Sequence, residues 1–280
     1  MSDIGEFFVD RVISFDDAKE LYGEMVTARE PNVTEAGVYR DRETGEPVLI
    51  YAPYPGDVAA LRRATMDVKM TTSLRANGMR NKARTFGFFP RSVVRKREMC
   101  KPTSLTWEHP DSQLELSRAA VLLGQWFRGV LPDAWEDDLR VSDEILPEWR
   151  MAENTLWTSG VINETSQLPY HRDRGNFPVW SAMPVLRRNV EGGYLHIPEY
   201  DVTVACRDGW VLYFNGYEKL HGVTPMKQTK KGGYRFSIVY YALRGMKDCH
   251  TYAVELGEAR RKRTAREDDD TRNPKDVERS

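Results

Sequence analysis

The sequence predicts a protein of the α+β class that is mainly β, with its helices confined to the N-terminal half. About six short runs rich in β-branched and aromatic residues lie between positions 156 and 241. Tight-turn residues such as Arg207-Asp208-Gly209 separate them. Helical periodicity is limited to 14–28, to a stretch beginning near Asp57 and to 111–130. Many short strands with almost no helix among them are typical of a barrel or a sandwich.

The first elements of the chain are recognised by their boundaries. Residues 14–28 are predicted to form a helix with Ser14 as its N-cap. Residues 46–54 read as a strand, and a Pro-Gly turn then leads into a helix that begins near Asp57. These elements would support the β-rich half.

Residues 111–130 carry the strongest helical pattern. Asp111 or Ser112 is expected to cap this helix, which would pack against the outer face of the sheet. Its predicted buried stripe consists of Leu114, Val121, Leu122 and Phe127. The following stretch, 131–153, is acidic and is predicted to be irregular, with Trp135 and Trp149 as packing anchors.

The chain is predicted to contain one domain over residues 1–255. Within it, 1–110 would be a helical and basic extension, and 111–255 would hold the long helix and the β core. Residues 256–280 are charged and nearly free of apolar side chains, which predicts a disordered tail.

Composition excludes several classes of protein. A hydrophobic fraction of 40% is enough for a core and excludes global disorder. No apolar run could cross a bilayer, and the N-terminus lacks the pattern of a signal peptide. Cys100, Cys206 and Cys249 are widely spaced, which argues against a disulfide framework or a zinc cluster and fits a reducing compartment. We therefore expect a monomer that is cytoplasmic or otherwise intracellular (nuclear in a eukaryote), not secreted and not membrane-bound.

Positive charge is concentrated in one segment although the whole chain has 41 basic and 42 acidic residues. Between positions 69 and 101 the only acid is Glu98. The cations there are Lys69, Arg75, Arg80, Lys82, Arg84, Arg91, Arg95, Lys96, Arg97 and Lys101, interleaved with Phe86, Phe88 and Phe89. Such a segment suits a nucleic-acid backbone with bases or sugars beside it. The alternative is a solvated basic loop that its aromatic residues pack onto the core.

A metal site is predicted from three residues, His171, Asp173 and His221. Two imidazoles and one carboxylate can occupy one face of an octahedral metal and leave three positions open, as in non-haem Fe(II) oxygenases. Arg235, on a β-rich run shortly after His221, could hold a carboxylate bidentately. A His-x-Asp pair alone is common, so the prediction depends on the whole set. His196 is a competing ligand, but it is expected to face the sheet or solvent.

These motifs resemble the TET/JBP group of Fe(II)/2-oxoglutarate dioxygenases, which hydroxylate the 5-methyl group of pyrimidine bases in nucleic acid. The resemblance covers roughly residues 155–243. It rests on WTSGVIN, HRDRGN, GGYLHIPEY, DGWVLYFNGYEKLHGVTP and GGYRFSIVYY, in this order. It implies a double-stranded β-helix core (jelly-roll or cupin-like) with supporting N-terminal helices. Fe(II), 2-oxoglutarate and O2 are the cofactor and co-substrates that it implies.

The resemblance also implies roles for individual residues. His171, Asp173 and His221 match the iron ligands and would be catalytic. Arg235 and Ser237 match the pair that binds the distal carboxylate of 2-oxoglutarate.

The other end of 2-oxoglutarate would be held by an arginine upstream of the barrel, either Arg84 or Arg91. Arg95 and Lys96, from the basic segment, would bind the DNA backbone.

Two residues match positions that contact the target base. Asn176 matches an asparagine that touches the base, and Tyr241 matches an aromatic residue that stacks on it. Either could instead be structural, Asn176 as the end of a turn and Tyr241 as strand core. Where the eukaryotic enzymes have a histidine that helps to read cytosine, this chain has Leu243.

The predicted function is therefore hydroxylation of 5-methylcytosine in DNA to 5-hydroxymethylcytosine. The alternatives are hydroxylation of thymine in DNA to 5-hydroxymethyluracil, and hydroxylation of a small molecule or a protein side chain. A binding module without catalysis is the least consistent with an intact ligand set. Asp173 favours hydroxylation over halogenation, since a small residue there would open a position for halide.

Overall fold

The computed structural model describes residues 4–74 and 80–272, and it describes side chains over 4–72 and 81–266. Arg75, the side chain of Arg80 and the end of the predicted tail, 273–280, lie outside the described residues. The strands, in chain order, are β1 (Gly5–Val9), β2 (Gly37–Asp41), β3 (Pro47–Pro53), β4 (Thr71–Leu74), β5 (Arg80–Phe89), β6 (Lys101–Pro102), β7 (Ser159–Glu164), β8 (Leu168–His171), β9 (Ser181–Arg188), β10 (Val190–Gly192), β11 (Leu195–Ile197), β12 (Val202–Val204), β13 (Trp210–Phe214), β14 (His221–Val223), β15 (Met226–Gln228) and β16 (Tyr234–Tyr241).

The helices lie mainly before the β core. They are α1 (Val58–Met66), α2 (Leu105–Glu108), α3 (Pro110–Val130), α4 (Pro132–Val141) and α5 (Tyr252–Arg272), and short 3-10 turns lie at Asp17–Leu21, Pro147–Trp149, Pro198–Tyr200 and Arg244–Asp248. No helix among the described residues has the length and apolar character that crossing a membrane requires.

Two sheets face each other. The large sheet has the order β1-β2-β3-β13-β9-β16-β7-β5-β4, with β6 paired to β5, and the small sheet has the order β12-β11-β14-β8. A further pair, β10 with β15, lies outside both. This arrangement is the predicted double-stranded β-helix, in which a large and a small sheet enclose an apolar interior.

Strand β16 separates two cores because its side chains alternate between the faces of the large sheet. Phe236, Ile238 and Tyr240 point to the helices and belong to the core that α1, α3 and α4 cover. Arg235 and Ser237 therefore point to the interior between the two sheets. The interior core consists of Tyr39, Leu49, Tyr51, Met183, Val185, Leu195, Ile197, Val202, Val204 and Leu212, among others.

Several predicted elements are confirmed. The strand predicted at 46–54 is β3, and the helix predicted near Asp57 is α1, where the Asp57 carboxylate accepts hydrogen bonds from the backbone N–H groups of Ala59 and Ala60. Trp135 and Trp149 are buried, as expected of packing anchors.

The prediction of a helix over 14–28 is wrong, because only a 3-10 turn forms at Asp17–Leu21. The chain is drawn instead into pairing with strand β8, where the Gly23 N–H donates to the Tyr170 carbonyl and the Tyr170 N–H donates to the Glu24 carbonyl. Ser14 still accepts a hydrogen bond from the backbone N–H of Asp17, as an N-cap would.

The predicted buried stripe of α3 is also wrong, except at Phe127. Leu114 and Leu122 are exposed, and the helix begins at Pro110, so that neither Asp111 nor Ser112 is its N-cap. The buried positions are Ser112, Leu116, Ala119, Ala120, Leu123, Gly124 and Phe127. The small residues let the helix lie close to its neighbours: a Cβ added at Gly124 would come within 3.0 Å of the Trp135 ring.

Two further predictions in the second half are wrong. Part of the supposedly irregular stretch 131–153 is α4, which begins at a proline as many helices do. The predicted disordered tail is helical up to Arg272. Its first turn is anchored because the buried Glu255 carboxylate accepts hydrogen bonds from the backbone N–H groups of Cys100 and His250.

The expectation that no disulfide forms is wrong as well. Cys100 and Cys249 are bonded, and Cys206 is a free, buried thiol. The two cysteines are 149 residues apart in sequence, so only the tertiary fold brings them together. The bond connects the end of the basic segment to the start of α5.

Candidate active site

His171, Asp173 and His221 form one cluster at the edge of the small sheet. His171 ends β8, His221 begins β14, and the two residues are directly paired across the antiparallel strands. The His171 Nε2 lies 3.7 Å from the Asp173 carboxylate, and the His221 Nε2 lies 4.0 Å from it. One ligand atom from each residue lies within 4.8 Å of the other two, so the three can bind one metal ion. The prediction that they come together is confirmed.

Backbone carbonyls orient both imidazoles. The Nδ1 of His171 donates to the Pro169 carbonyl at 2.8 Å, and the Nδ1 of His221 donates to the Lys219 carbonyl at 3.0 Å. Because a carbonyl can only accept, each proton is held on Nδ1 and each Nε2 presents a lone pair to the cluster. This is the tautomer that a metal requires.

The pKa values also fit a metal-binding set. Burial lowers the pKa of His221 far below its ordinary value, and the charge of His171 lowers it further, so His221 is held neutral. Burial raises the pKa of the Asp173 carboxyl, whereas the neighbouring His171 acts to lower it. A divalent cation would stabilise the carboxylate form and accept both lone pairs.

Gly216 is a functional position that the sequence reading missed. A Cβ added there would lie 2.9 Å from the Asp173 carboxylate and 3.3 Å from the His221 ring. The Gly216 carbonyl also accepts a hydrogen bond from the backbone N–H of Asp173. The loop before β14 therefore needs a residue without a side chain here, a requirement that depends on a contact 43 positions away in sequence.

A buried ion pair supports the cluster from behind. The Arg172 guanidinium contacts the Glu199 carboxylate at 2.9 Å, and both side chains are almost completely buried. The same carboxylate accepts a hydrogen bond from the backbone N–H of Leu220 at 2.7 Å. Since Arg172 lies between the ligands His171 and Asp173, and Leu220 immediately precedes His221, Glu199 connects both halves of the site. The sequence offered no signal for this pairing.

Arg235 is a buried cation without a counter-ion. Only 1% of the residue is exposed, and its Nε and Nη2 have no hydrogen-bond partner. Among the described residues no carboxylate forms an ion pair with it. An unpaired buried charge is costly, so this guanidinium is suited to a bound anion. The carboxylate of 2-oxoglutarate fits this requirement, because two parallel N–H groups can bind its two oxygens.

The neighbours of Arg235 keep its guanidinium available. Gly193 has a φ of +69°, and a Cβ at this position would lie 2.7 Å from the Arg235 Cδ. Arg187 lies directly opposite Arg235 on β9, but its own guanidinium donates to backbone carbonyls, including those of Val190 and Gly192. Burial lowers the pKa of Arg187, and the charge of Arg235 lowers it further. Of these two arginines, Arg235 is the one with buried donors that have no partner.

The remaining residues predicted on β16 lie on the expected face. Ser237 is buried and lies two positions after Arg235, so both side chains face the interior. Tyr241 shares that face and lies near the metal cluster. Burial raises the pKa of Tyr241 and the charge of Asp173 raises it further, whereas the charge of Arg95 acts in the opposite direction. The roles of Ser237 and Tyr241 stay predictions.

Asn176 lies one turn after the ligand Asp173 and is buried. Its backbone N–H donates to the Asp173 carbonyl at 2.9 Å. It forms an isolated antiparallel bridge with Leu243, the departure from the family pattern noted in the sequence. The structure thus brings Asn176 and Leu243 together beside the cluster, and the base-contacting role of Asn176 stays a prediction.

The structure contradicts Arg84 as a residue that holds 2-oxoglutarate. Arg84 on β5 pairs with Ile162 on β7, and both face the helix layer, opposite to Arg235. Its guanidinium donates to Ser104 and pairs with Glu108. The register of β5 against β7 determines the face of the sheet on which Arg84 lies, and the sequence of β5 alone does not reveal that register.

Arg91 is likewise engaged elsewhere, in contacts with the C-terminal segment. It donates to the Asp248 carbonyl and lies 3.5 Å from the Glu255 carboxylate and 3.7 Å from that of Glu258. Neither of the two predicted upstream arginines is therefore free at the cluster. Arg95 is the upstream arginine whose charge reaches Tyr241.

The basic segment divides into a structural part and an exposed part. Phe86 is buried against Tyr240 with ring centroids 5.2 Å apart, and Phe88 packs on Trp149. The interpretation of these two aromatic residues as platforms for bases or sugars is therefore wrong, because they belong to the core. The exposed cations Arg95 and Lys96 lie on the turn after β5.

The other histidines take no part in the cluster. His196 is buried and forms hydrogen bonds with the Tyr170 hydroxyl and the Asp201 carboxylate. Burial lowers its pKa to about 4, so it stays neutral. His109 accepts a hydrogen bond from the backbone N–H of Lys69, and for His250 the described bonds involve its backbone alone.

Comparison with known proteins places this geometry in a family. The oxygenase domain of the 2OGFeDO superfamily, described as Tet_JBP, matches residues 87–244. The bifunctional helicase and thymine dioxygenase JBP2 of Trypanosoma brucei brucei (strain 927/4 GUTat10.1) is 33% identical over 135 residues. That alignment covers 48% of this chain and 12% of the trypanosome protein, so the chain spans only a small part of that relative's length.

A solved structure shares the fold. NgTET1, in complex with 5mC DNA, aligns with a TM-score of 0.57 at 15% identity, over 88% of this chain and all of that chain (100%). Its likeness supports the double-stranded β-helix assignment. Because the family match extends over more than half of the 280 residues, the chain belongs to the Tet/JBP family of oxygenase domains in the 2OGFeDO superfamily, whose members use Fe(II), 2-oxoglutarate and O2.

Proposed function

We propose that this chain hydroxylates the 5-methyl group of a pyrimidine base in DNA. The observation that carries the proposal is the combination of the three-residue ligand cluster with the unpaired guanidinium of Arg235 on the same interior. The family match supports the oxidative chemistry. The positively charged turn with Arg95 and Lys96, which follows β5, supports a polyanionic substrate.

The residues of the candidate site would have distinct roles. His171, Asp173 and His221 hold Fe(II) through two Nε2 atoms and one carboxylate, and Arg235 with Ser237 binds the distal carboxylate of 2-oxoglutarate. Together with O2, these groups supply an oxidation in which 2-oxoglutarate gives succinate and CO2 and a substrate C–H becomes C–OH. The protein orients the methyl group and excludes water.

The methyl group must be brought to the interior before it can react. In a duplex it lies in the major groove within the base stack. The enzyme must therefore flip the nucleotide out of the duplex or act on single-stranded DNA. Asn176 would contact the edge of the extruded base, and Tyr241 would stack on it. Arg95 and Lys96 would hold the flanking phosphates.

5-Methylcytosine is the first candidate base, and 5-hydroxymethylcytosine is then the product. The solved NgTET1 structure, which shares the fold, was determined with 5mC DNA.

Thymine is the second candidate, because Leu243 does not discriminate against it. The residue paired with Asn176 offers no hydrogen-bonding group, so a single amide remains to read the base edge. An amide can present either its oxygen or its NH2 group, and it can therefore pair with the 4-amino group of 5-methylcytosine or the 4-oxo group of thymine. The trypanosome relative is itself described as a thymine dioxygenase.

Nucleoside mass spectrometry tests the proposal. The purified protein would be incubated with Fe(II), ascorbate and 2-oxoglutarate on DNA that contains both bases. His171→Ala should abolish turnover, and His250→Ala is the matched control, because its side chain is outside the cluster. A gain of one oxygen on 5-methylcytosine or on thymine would identify the base. Consumption of 2-oxoglutarate without any modified base would refute the DNA substrate and redirect the search to small molecules and proteins.

A further inference from the structure

A short hairpin follows the end of β5 and carries two solvent-exposed valines. The N–H of Ser92 donates to the Arg97 carbonyl at 2.9 Å, and the N–H of Arg97 donates to the Ser92 carbonyl at 2.8 Å. Val93, Val94, Arg95 and Lys96 form the tip between them. Both valines are 95% exposed, more than any other large apolar residue of the described chain. Single exposed aliphatic residues are common, but two adjacent and almost fully solvated valines call for a partner.

The tip is held firmly from its base. Arg91, just before the hairpin, is bound to the Asp248 carbonyl and paired with Glu255. Arg97, at its end, stacks over the Phe89 ring with the guanidinium carbon 4.3 Å from the centroid. Shortly afterwards the disulfide of Cys100 joins the hairpin to the segment before α5. A tip anchored at both ends is presented in a defined position.

The hairpin begins beside the end of β16, close to the candidate active site. The Phe88 N–H donates to the Thr158 carbonyl at 3.0 Å, and the Thr158 N–H donates to the Tyr241 carbonyl at 3.2 Å. Pro90, just before the hairpin, lies against Gly245, where an added Cβ would be 3.0 Å from the proline ring. The two apolar side chains are adjacent in sequence to the exposed cations Arg95 and Lys96. Positive charge on Arg95 and Lys96 suits the phosphates of DNA.

We propose that Val93 and Val94 form an apolar wedge that enters the base stack of duplex DNA and occupies the space left by the flipped nucleotide. This inference rests on the proposed function, because it requires a DNA base as substrate. Phosphates on either side contact Arg95 and Lys96, and the valines replace the stacking surface that the extruded base abandons. The wedge would act on duplex DNA alone.

The physical reason is the energy of unstacking. Extrusion of a base from a duplex breaks its pairing and stacking, and proteins offset that cost by inserting apolar side chains between base steps. A single-stranded substrate has no stack to hold open. The contribution of the wedge should therefore appear as a difference between duplex and single-stranded DNA, whereas loss of the oxidative site would affect both equally.

Turnover of two matched substrates tests the wedge. An oligonucleotide with one target base would be presented as a single strand and as the corresponding duplex, and kcat/KM would be measured for each. For Val93→Ser/Val94→Ser we expect a loss of roughly tenfold or more on the duplex and little change on the single strand. Val93→Leu/Val94→Leu, which keeps apolar side chains, should retain duplex turnover. Met66→Ser, a change at an exposed apolar residue of α1 in the helix layer, is the control and should alter neither.

A second readout is independent of turnover. With 2-aminopurine next to the target base, binding of the wild type should raise the fluorescence of the duplex because the stack opens, and the double serine variant should raise it less. An unchanged ratio of duplex to single-strand turnover in the double serine variant would refute the wedge, as would a wild type that acts on single strands alone. Failure of the wild type on both substrates would overturn the proposed function itself, and the wedge with it.

Discussion

Replacing Arg235 with methionine should make the protein more stable without co-substrate and much weaker in binding 2-oxoglutarate. The wild-type guanidinium is buried, has no counter-ion among the described residues and leaves Nε and Nη2 without partners. Methionine has a similar length and no polar group to satisfy. The change thus removes a desolvation cost from the free protein and a binding group from the complex.

Both magnitudes follow from the two orphaned donors. An unsatisfied buried donor costs about 1–3 kcal/mol, so Arg235→Met should stabilise the free protein by about 2 kcal/mol or more. For a chain of this size that corresponds to a rise in Tm of about 3 °C or more. Two charge-assisted hydrogen bonds are worth about 1.5–3 kcal/mol each, so the affinity for 2-oxoglutarate should fall roughly 10²- to 10⁴-fold.

Thermal denaturation of the Ni(II)-loaded protein, with and without 2-oxoglutarate, measures both effects while preventing turnover. At about 100 times its dissociation constant, 2-oxoglutarate should stabilise the wild type by about 2.7 kcal/mol and the variant hardly at all. Arg187→Met is the matched control. Because Arg187 donates to backbone carbonyls that would be left unpaired, this variant should lose stability in either condition.

Two outcomes would refute the reasoning. If Arg235→Met were less stable than the wild type without co-substrate, the buried guanidinium would not be the cost that its unpartnered atoms indicate. If 2-oxoglutarate raised the Tm of the variant and of the wild type equally, the carboxylate would be bound elsewhere.

Three further predictions concern other positions. Gly216→Ala should lower the affinity for Ni(II) or Fe(II) roughly tenfold or more by displacing the Asp173 carboxylate, whereas Gly175→Ala, where a Cβ meets nothing within 4 Å, should not; isothermal titration compares them. Glu199→Gln should destabilise the fold by about 3 kcal/mol or more by leaving its buried arginine partner unpaired, and should also weaken metal binding; urea denaturation that gave the wild-type value would contradict the role of this pair. Burial raises the pKa of Asp138 to about 8, so the folded protein keeps a proton that the unfolded chain loses above about pH 4, and the free energy of unfolding falls as pH rises between these values. The free energy of unfolding of Asp138→Asn, relative to that of the wild type, should therefore rise by up to about 1.4 kcal/mol per pH unit as the pH approaches 8, and it should stay constant above pH 8. If urea denaturation showed a difference in the free energy of unfolding that does not vary with pH, this carboxyl would not be the cause of the pH dependence.

The types of side chain and their spacing along the chain determined what could be predicted about the site. A His-x-Asp pair at a strand end, a distant histidine and an arginine on a β-rich run are visible in the chain as written. Alternation along a strand is a local rule, so the common face of Arg235, Ser237 and Tyr241 also follows from their even-numbered spacing on β16.

Contacts between distant segments decided the rest. Arg84 faces the helices and not the interior because β5 pairs with β7 in one register, and a shift by one residue would have reversed its side. The buried stripe of α3 follows from where small residues let the helix approach its neighbours, a property of the partner surface that helical periodicity does not contain.

The residues that hold the predicted metal ligands in place also depend on contacts between distant segments. The need for glycine at Gly216 and the ion pair of Arg172 with Glu199 arise between residues that are far apart in sequence. The helix α5 is a further example, since its first turn is held by the buried Glu255 and by the disulfide beside it. The sequence by itself therefore determined the candidate ligand set and the candidate anion-binding arginine. The tertiary structure decided which residues hold them in place, because positioning depends on pairings that the linear order does not contain.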